Sequence, residues 1–224
     1  MEKGLFLDLN YLHPLPQRMC ELFAAGKKGG VNLFIVQWGC CYPWSVVSPS
    51  PPKDFYPEEA VAGIKQASAK IKVSVIHCLP CFRNFEFLLG YPGFINLRKY
   101  RHNPGEIDVN LPGARLFMEK LIEDILTLEP QTDRIILDAR FPGLKNDPIQ
   151  KKHIKSIIDF CSSLSIIPGI ILADTDLDKE LEECFFGLKA FPIFPVPQKY
   201  AGSSWNYGPP DSLIGESEEA DSFS

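Results

Sequence analysis

Asp138 and Arg140 close the stretch Thr132-Asp133-Arg134-Ile135-Ile136-Leu137-Asp138-Ala139-Arg140, an apolar run of strand type that ends in charged residues. A carboxylate in that position is a candidate for proton transfer. The plainer readings are a solvated loop residue or a partner for Arg140. A second constellation is Cys78-Leu79-Pro80-Cys81, preceded by His77, with Cys40-Cys41 at the end of an earlier apolar run. If the two runs are adjacent parallel strands, all four sulfurs come to one rim. That arrangement suits a four-cysteine zinc site or a redox pair. Buried core thiols are the alternative. Trp38, Tyr42, Trp44 and Phe82 cluster near the same run ends, either as flat surfaces for a sugar's C–H face or as ordinary packing. Asp174, Asp176 and Asp178 form an acidic turn whose simplest role is to cap the helix that follows.

The elements that must position these groups alternate in type. Leu5 to Leu9, Val31 to Trp38, Ile71 to Leu79, Ile135 to Leu137, Ile170 to Ala173 and Leu188 to Phe194 read as strands. Leu15 to Ala25, Pro57 to Lys70, Pro112 to Leu128, Ile149 to Leu164 and Leu177 to Phe185 read as helices. The helix over 112–128 has the clearest period, with Leu116, Phe117, Leu121, Ile125 and Leu128 recurring at helical spacing. Repeated strand–helix units predict an α/β fold with a parallel sheet, closing in right-handed order toward a (β/α)8 TIM barrel. Residues 1–197 form the expected barrel-like domain of about six units, with the last two missing, since a complete barrel typically needs about 250 residues. Residues 198–224, rich in Gly, Ser, Pro and acidic side chains, are expected to be a disordered tail. Truncation from an ancestral barrel is the favoured reading. Completion by a partner or a second copy covering the open edges, and an open flattened sheet, are the alternatives.

The chain has 224 residues, 45% of them hydrophobic, and a net charge of -5. That is enough for one ordinary core and gives no electrostatic reason to expect nucleic acid. No apolar run is long enough to cross a bilayer, so no membrane association is expected. The start lacks the pattern of a signal peptide, which predicts a cytoplasmic or nuclear protein with reduced cysteines.

Several segments, in shared order, resemble the family-20 glycoside hydrolases, in particular the hexosaminidase D-like branch. Phe6-Leu7-Asp8-Leu9-Asn10 is similar to that family's first strand, His-Leu-Asp-Leu-Lys. The run from Ile35 to Trp44 resembles Ile-Glu-Tyr-Glu-Asp-Met-Phe-Pro-Tyr, with Gln37, Gly39 and Cys40 at acidic positions. Tyr56-Pro57-Glu58-Glu59 resembles the usual start of the next helix. Phe82 to Leu89 resembles Phe-Gly-His-x-Glu-Phe-Val-Leu, keeping Glu86 and carrying Asn84 at the histidine, and Phe94 to Arg98 resembles the Phe-x-x-Leu-Arg that follows. Asp174 stands near the end of the fifth strand, with Ala173 at a tryptophan position.

The resemblance implies chemistry on terminal N-acetylhexosamines by a substrate-assisted route. The sugar's acetamido oxygen attacks the anomeric carbon, an aspartate orients that amide, and a glutamate protonates the leaving group. By spacing, the Asp-Glu pair of the fourth strand falls on Ala139 and Arg140. Asp138 sits one residue early, which in a regular strand turns it to the opposite face. The first expectation is therefore a hexosaminidase-like protein that has lost its acid and retains N-acetylhexosamine binding. Its candidate catalytic positions are Asp138 and Arg140; its candidate substrate-binding residues are Asp8, Gln37, Trp38, Asn84, Glu86 and Asp174. No cofactor and no metal belong to this reading. The alternatives are a working β-N-acetylhexosaminidase built around Asp138, and a zinc or redox module on the four rim cysteines.

Overall fold

A computed structural model describes residues 4–10, 13–47, 55–141, 144–172 and, through the backbone alone, 191–193. Its frame is six parallel strands: β1 (Gly4–Asp8), β2 (Leu33–Gln37), β3 (Ser74–Pro80), β6 (Arg134–Asp138), β7 (Ile167–Ile171) and β8 (Phe191–Ile193). They lie side by side in chain order, β1-β2-β3-β6-β7-β8. Helices α1 (Pro16–Lys28), α2 (Glu58–Lys70), α4 (Pro112–Leu128) and α5 (Pro148–Ser163) connect them. This is the α/β order predicted for a TIM-barrel wall. The expected helix over 177–185 and the tail over 198–224 lie outside the described residues, as do Asp174, Asp176 and Asp178. Among the described residues, no helix is long and apolar enough to cross a membrane.

Local chemistry explains the boundaries. α1 runs three residues past the predicted Ala25 because Lys27 and Lys28 complement the dipole at its C-terminal end. β2 starts at Leu33 because Gly29 and Gly30 turn the chain first, Gly30 with φ +86°. α5 begins at Pro148, whose missing N–H costs nothing there. Asp147 caps it, accepting from the backbone N–H groups of Ile149 and Gln150 at 2.9 and 3.1 Å. β7 starts at Ile167, so Pro168 and Gly169 sit inside it, paired with Ile135 and Ile136. Leu116 is 64% exposed, because the buried stripe of α4 is Ala114, Phe117, Met118, Leu121, Ile122 and Ile125.

Between β3 and α4 the chain makes an excursion that the sequence pattern does not announce. A short helix, α3 (Glu86–Leu89), precedes an antiparallel hairpin of β4 (Arg98–Tyr100) and β5 (Asn103–Ile107). Its Asn, Pro, Gly and Lys/Arg content hides the strand period. The hairpin packs back on the chain leaving β3, with Ile107 N–H donating to Phe82 O at 3.1 Å.

Two separate apolar clusters divide the sheet by face. The larger, between sheet and helices, joins Phe34, Val36, Leu79, Ile135 and Leu137 to helix residues such as Phe23, Ile64, Met118 and Ile157. The smaller comprises Ile35, Cys78, Ile136 and Ile171, with Phe6, Leu33 and Ile76 against them. That second set is the alternate residues of each strand, the side a barrel encloses. The sheet is curved rather than flat: the Arg140 guanidinium, just beyond β6, lies 5.2 Å from the ring centre of Phe6 on β1.

Candidate functional site

Alternation fixes which side chains crown the interior face. Asp8 continues the side of Phe6, Gln37 that of Ile35, and Asp138 that of Ile136. Asp8 pairs in register with Gln37, and Gln37 with Cys78. Gln37 and Asp138 are buried, whereas Asp8 and Arg140 are half-buried. The structure thus gathers Asp8, Gln37, Asp138 and Arg140 at the C-terminal ends of the strands, where a parallel α/β barrel binds its ligands.

Asp138 faces the enclosed side, and Ala139, fully buried, packs among the helix-side core residues. This reverses the facing expected from counting back one residue. The Asp138 carboxylate accepts from Arg140 Nε at 2.8 Å and from Arg140 Nη2 at 2.7 Å, a two-toothed pairing. Arg140 O in turn accepts from Arg83 at 3.1 Å. A guanidinium is in effect never deprotonated, so Arg140 cannot deliver a proton. The Gln37 Nε2 group is a buried donor with no hydrogen-bond partner, and Asp8 Oδ1 accepts from the Asn10 backbone N–H at 2.9 Å.

The other sequence-predicted residues fall elsewhere. Trp38 turns to the helix side, 1% exposed, and donates from Nε1 to His77 Nδ1 at 2.9 Å. Tyr42, Trp44 and Phe82 are buried with it, so the aromatic cluster is core packing. Asn84 holds a left-handed turn at φ +68°, a conformation its short amide tolerates. Glu86 opens α3 beside Gly105, with a buried Oε2 that has no hydrogen-bond partner.

The four rim cysteines do not assemble. Cys78 is on the interior face, 3.8 Å from Gln37 Oε1, and Cys81 is in the helix-side core, where Cys161 is among the groups that affect it. Burial, then the Asp138 charge, pushes both the Cys78 and Cys81 thiols well above their ordinary range.

Sequence reasoning missed a buried polar chain behind the rim. Glu129, just past α4, places Oε1 3.0 Å from His77 Nε2 and Oε2 2.6 Å from Lys65 Nζ. With Trp38 donating to Nδ1, the His77 proton is assigned to Nε2, facing the carboxylate. Burial lowers the His77 pKa, against an opposing pull from Glu129. Burial pushes Glu129 up, but His77 and Lys65 outweigh it and hold the carboxyl below its usual value. A cavity of about 270 Å³ adjoins this chain, lined in part by Lys65, His77, Glu129 and Arg134. A smaller one, about 70 Å³, lies between the hairpin and α5 and includes Phe82, Lys99, Glu106 and Phe141 in its lining. Neither takes in Asp8, Gln37 or Asp138.

These buried imidazoles set an acid limit. Burial drives His153, on α5, down to about 4 against a partly offsetting backbone hydrogen bond at Cys81. Its unfolded value is near the ordinary 6.5, so between these values the unfolded chain holds more protons. Stability is then complete above about pH 6.5 and falls as pH drops toward 4. Urea unfolding at pH 5 should show a loss of about 2 kcal/mol relative to pH 7 from this group alone. His153→Gln should flatten the slope, and an unchanged slope would remove His153 as its cause.

No protein-family profile matches the chain, and no curated protein matches it. Solved structures do. It is similar to a β-N-acetylhexosaminidase from Bacteroides fragilis at 11% identity and TM-score 0.59, covering 76% of this chain and 41% of that one. Dispersin B matches at 13% and 0.62, covering 82% of this chain and 62% of that one. A family-20 exo-β-N-acetylglucosaminidase from Vibrio harveyi, in complex with N-acetylglucosamine, matches at 12% and 0.61, covering 89% and 39%. The chain spans about half the length of the structures it matches. At these identities the likeness is one of fold.

Proposed function

We propose that this chain, with the barrel fold of the family-20 hexosaminidases, holds an N-acetylhexosamine at its strand tips without hydrolysing it. The pairing of Asp138 with Arg140 carries the reading. By the resemblance the family's acid position falls on Arg140, whose guanidinium is held by Asp138, and Ala139 next to it is apolar and turned into the core. Asp8 and Arg140, the half-buried members of the rim, would take the sugar hydroxyls and the acetamido oxygen. Gln37 and Asp138 would hold them from behind. The candidates Asn84 and Glu86, on the chain leaving β3, would then serve the surroundings of the site. The six described cysteines are thiols rather than disulfides, which suits a reducing cytoplasm or nucleus.

One observation favours hydrolysis as the second reading: Asp138 is on the interior face with Asp8, not turned away from it. Turnover of a fluorogenic N-acetylhexosaminide from mildly acidic to neutral pH, beside chemical-shift mapping with N-acetylglucosamine, separates the two. Non-hydrolytic binding gives no turnover and shifts centred on Asp8 and Arg140, which Asp8→Asn weakens. Turnover abolished by Asp138→Ala would establish the second reading. Folded protein with neither turnover nor shifts would overturn both.

A further inference from the structure

The cysteines that leave the rim form a different cluster. His13, in the segment entering α1, places Nδ1 3.0 Å and Nε2 3.5 Å from Cys40 Sγ. Cys41 completes a group in which one ligand atom from each residue lies within 4.8 Å of the others. Cys40 and Cys41 are buried, and His13 is exposed. Tetrahedral zinc, with bonds of about 2.3 Å to sulfur and 2.0 Å to nitrogen, sets its ligand atoms roughly 3.5–3.8 Å apart. The group's spread of up to 4.8 Å exceeds this by about an ångström, and the 3.0 Å between His13 Nδ1 and Cys40 Sγ falls about half an ångström short of it, so small side-chain rotations would bring the three donors to zinc spacing.

The neighbouring cysteines, an awkward ligand pair on a flexible chain, are held by a tight 3₁₀ turn, Gly39–Cys41. Gly39 adopts φ +53°, and a Cβ there would meet Asn10 Cα at 2.7 Å, so this turn is locked against the chain leaving β1. Cys41 N–H donates to Trp38 O at 2.9 Å, and Trp44 Nε1 donates to Gly39 O at 2.7 Å. Tyr56, whose hydroxyl donates to Pro14 O, lies beside the sulfurs as supporting structure.

We propose that His13, Cys40 and Cys41 form a zinc site with three protein ligands and a fourth position open to solvent on the His13 side. Soft thiolate with imidazole is the donor set that zinc favours over hard cations. Binding Zn²⁺ removes a proton from each of the two thiols and none from the neutral imidazole, so two protons are released and affinity rises with pH. The site lies outside the sugar-binding reading and does not depend on it.

The test uses the full chain, reduced with a phosphine, titrated with Zn²⁺ against a chromogenic chelator and with Co²⁺ by absorption. The expected result is one ion per chain and a sulfur-to-cobalt charge-transfer band. Cys40→Ser and Cys41→Ser each reduce the band and weaken binding beyond the roughly 10–100-fold expected for losing an outer-sphere contact. The exposed His13→Ala keeps the fold, so its weakened binding reports ligation even if a cysteine variant fails to fold. Cys161→Ser, remote in the core, leaves binding unchanged. Folded, reduced protein that retains no metal would overturn the site. Binding unaffected by His13→Ala, or by either cysteine change in folded protein, would also overturn it.

Discussion

Glu129→Ala should lower the unfolding free energy by about 3–5 kcal/mol, the cost of removing one partner from a buried ion pair. The carboxylate is 7% exposed and faces a lysine on α2 and an imidazole on β3. Without it, the Lys65 ammonium, 23% exposed, loses its counter-charge, and the His77 Nε2 proton faces a gap. Trp38 still donates to Nδ1, so His77 cannot turn to find another acceptor without giving up that bond. Glu129→Gln keeps the shape and an acceptor oxygen but not the charge, and should cost less than half as much. Urea denaturation at neutral pH measures both. A loss under about 1 kcal/mol for the alanine variant would mean that water from the adjoining cavity replaces the carboxylate.

Arg140→Ala should cost about 3 kcal/mol, near the lower end of the same range because the guanidinium is 27% exposed. The change strands the Asp138 carboxylate, 5% exposed at its side chain, and leaves it the backbone N–H of residue 140 at 3.2 Å. Asp138→Asn combined with Arg140→Ala should regain most of the loss, since the stranded charge is then gone. The non-additivity of the cycle is the measure of the pair. Additive single effects would mean that solvent already separates the two groups. The same cycle bears on function: if Arg140 occupies the proton donor's place, no member of it turns over a hexosaminide.

The strand–helix order was readable because each element carries its own periodicity. The phase of β6 was not. Ile135, Ile136 and Leu137 are apolar without interruption, as in a parallel strand buried on both sides, so nothing in the run says which face Asp138 takes. Asp8 and Gln37 could be proposed by resemblance and do crown the interior face. Trp38 could be proposed the same way, yet its indole is engaged by His77 thirty-nine positions away. The Glu129 chain and the His13–Cys40–Cys41 group share this character. Each joins residues from separate elements, and no spacing along the chain encodes such a meeting. The β4–β5 hairpin escaped for a local reason, because Asn103-Pro104-Gly105 reads as a turn, whereas Asn103 pairs with Tyr100 and Ile107 with Arg98.

The chain-order arrangement of the strands has a consequence for how the protein is made. Each parallel strand from β2 to β7 lies against the parallel strand that precedes it in the chain, so no early strand must wait for a later partner. β2 pairs with β1 across α1, and β3 with β2 across α2, so each partner is already made when its strand emerges. Growth of this kind matches emergence from a ribosome at about 5–20 residues per second. It keeps loop-closure costs to single crossovers, where a sheet with interleaved order would carry long unpaired segments through synthesis.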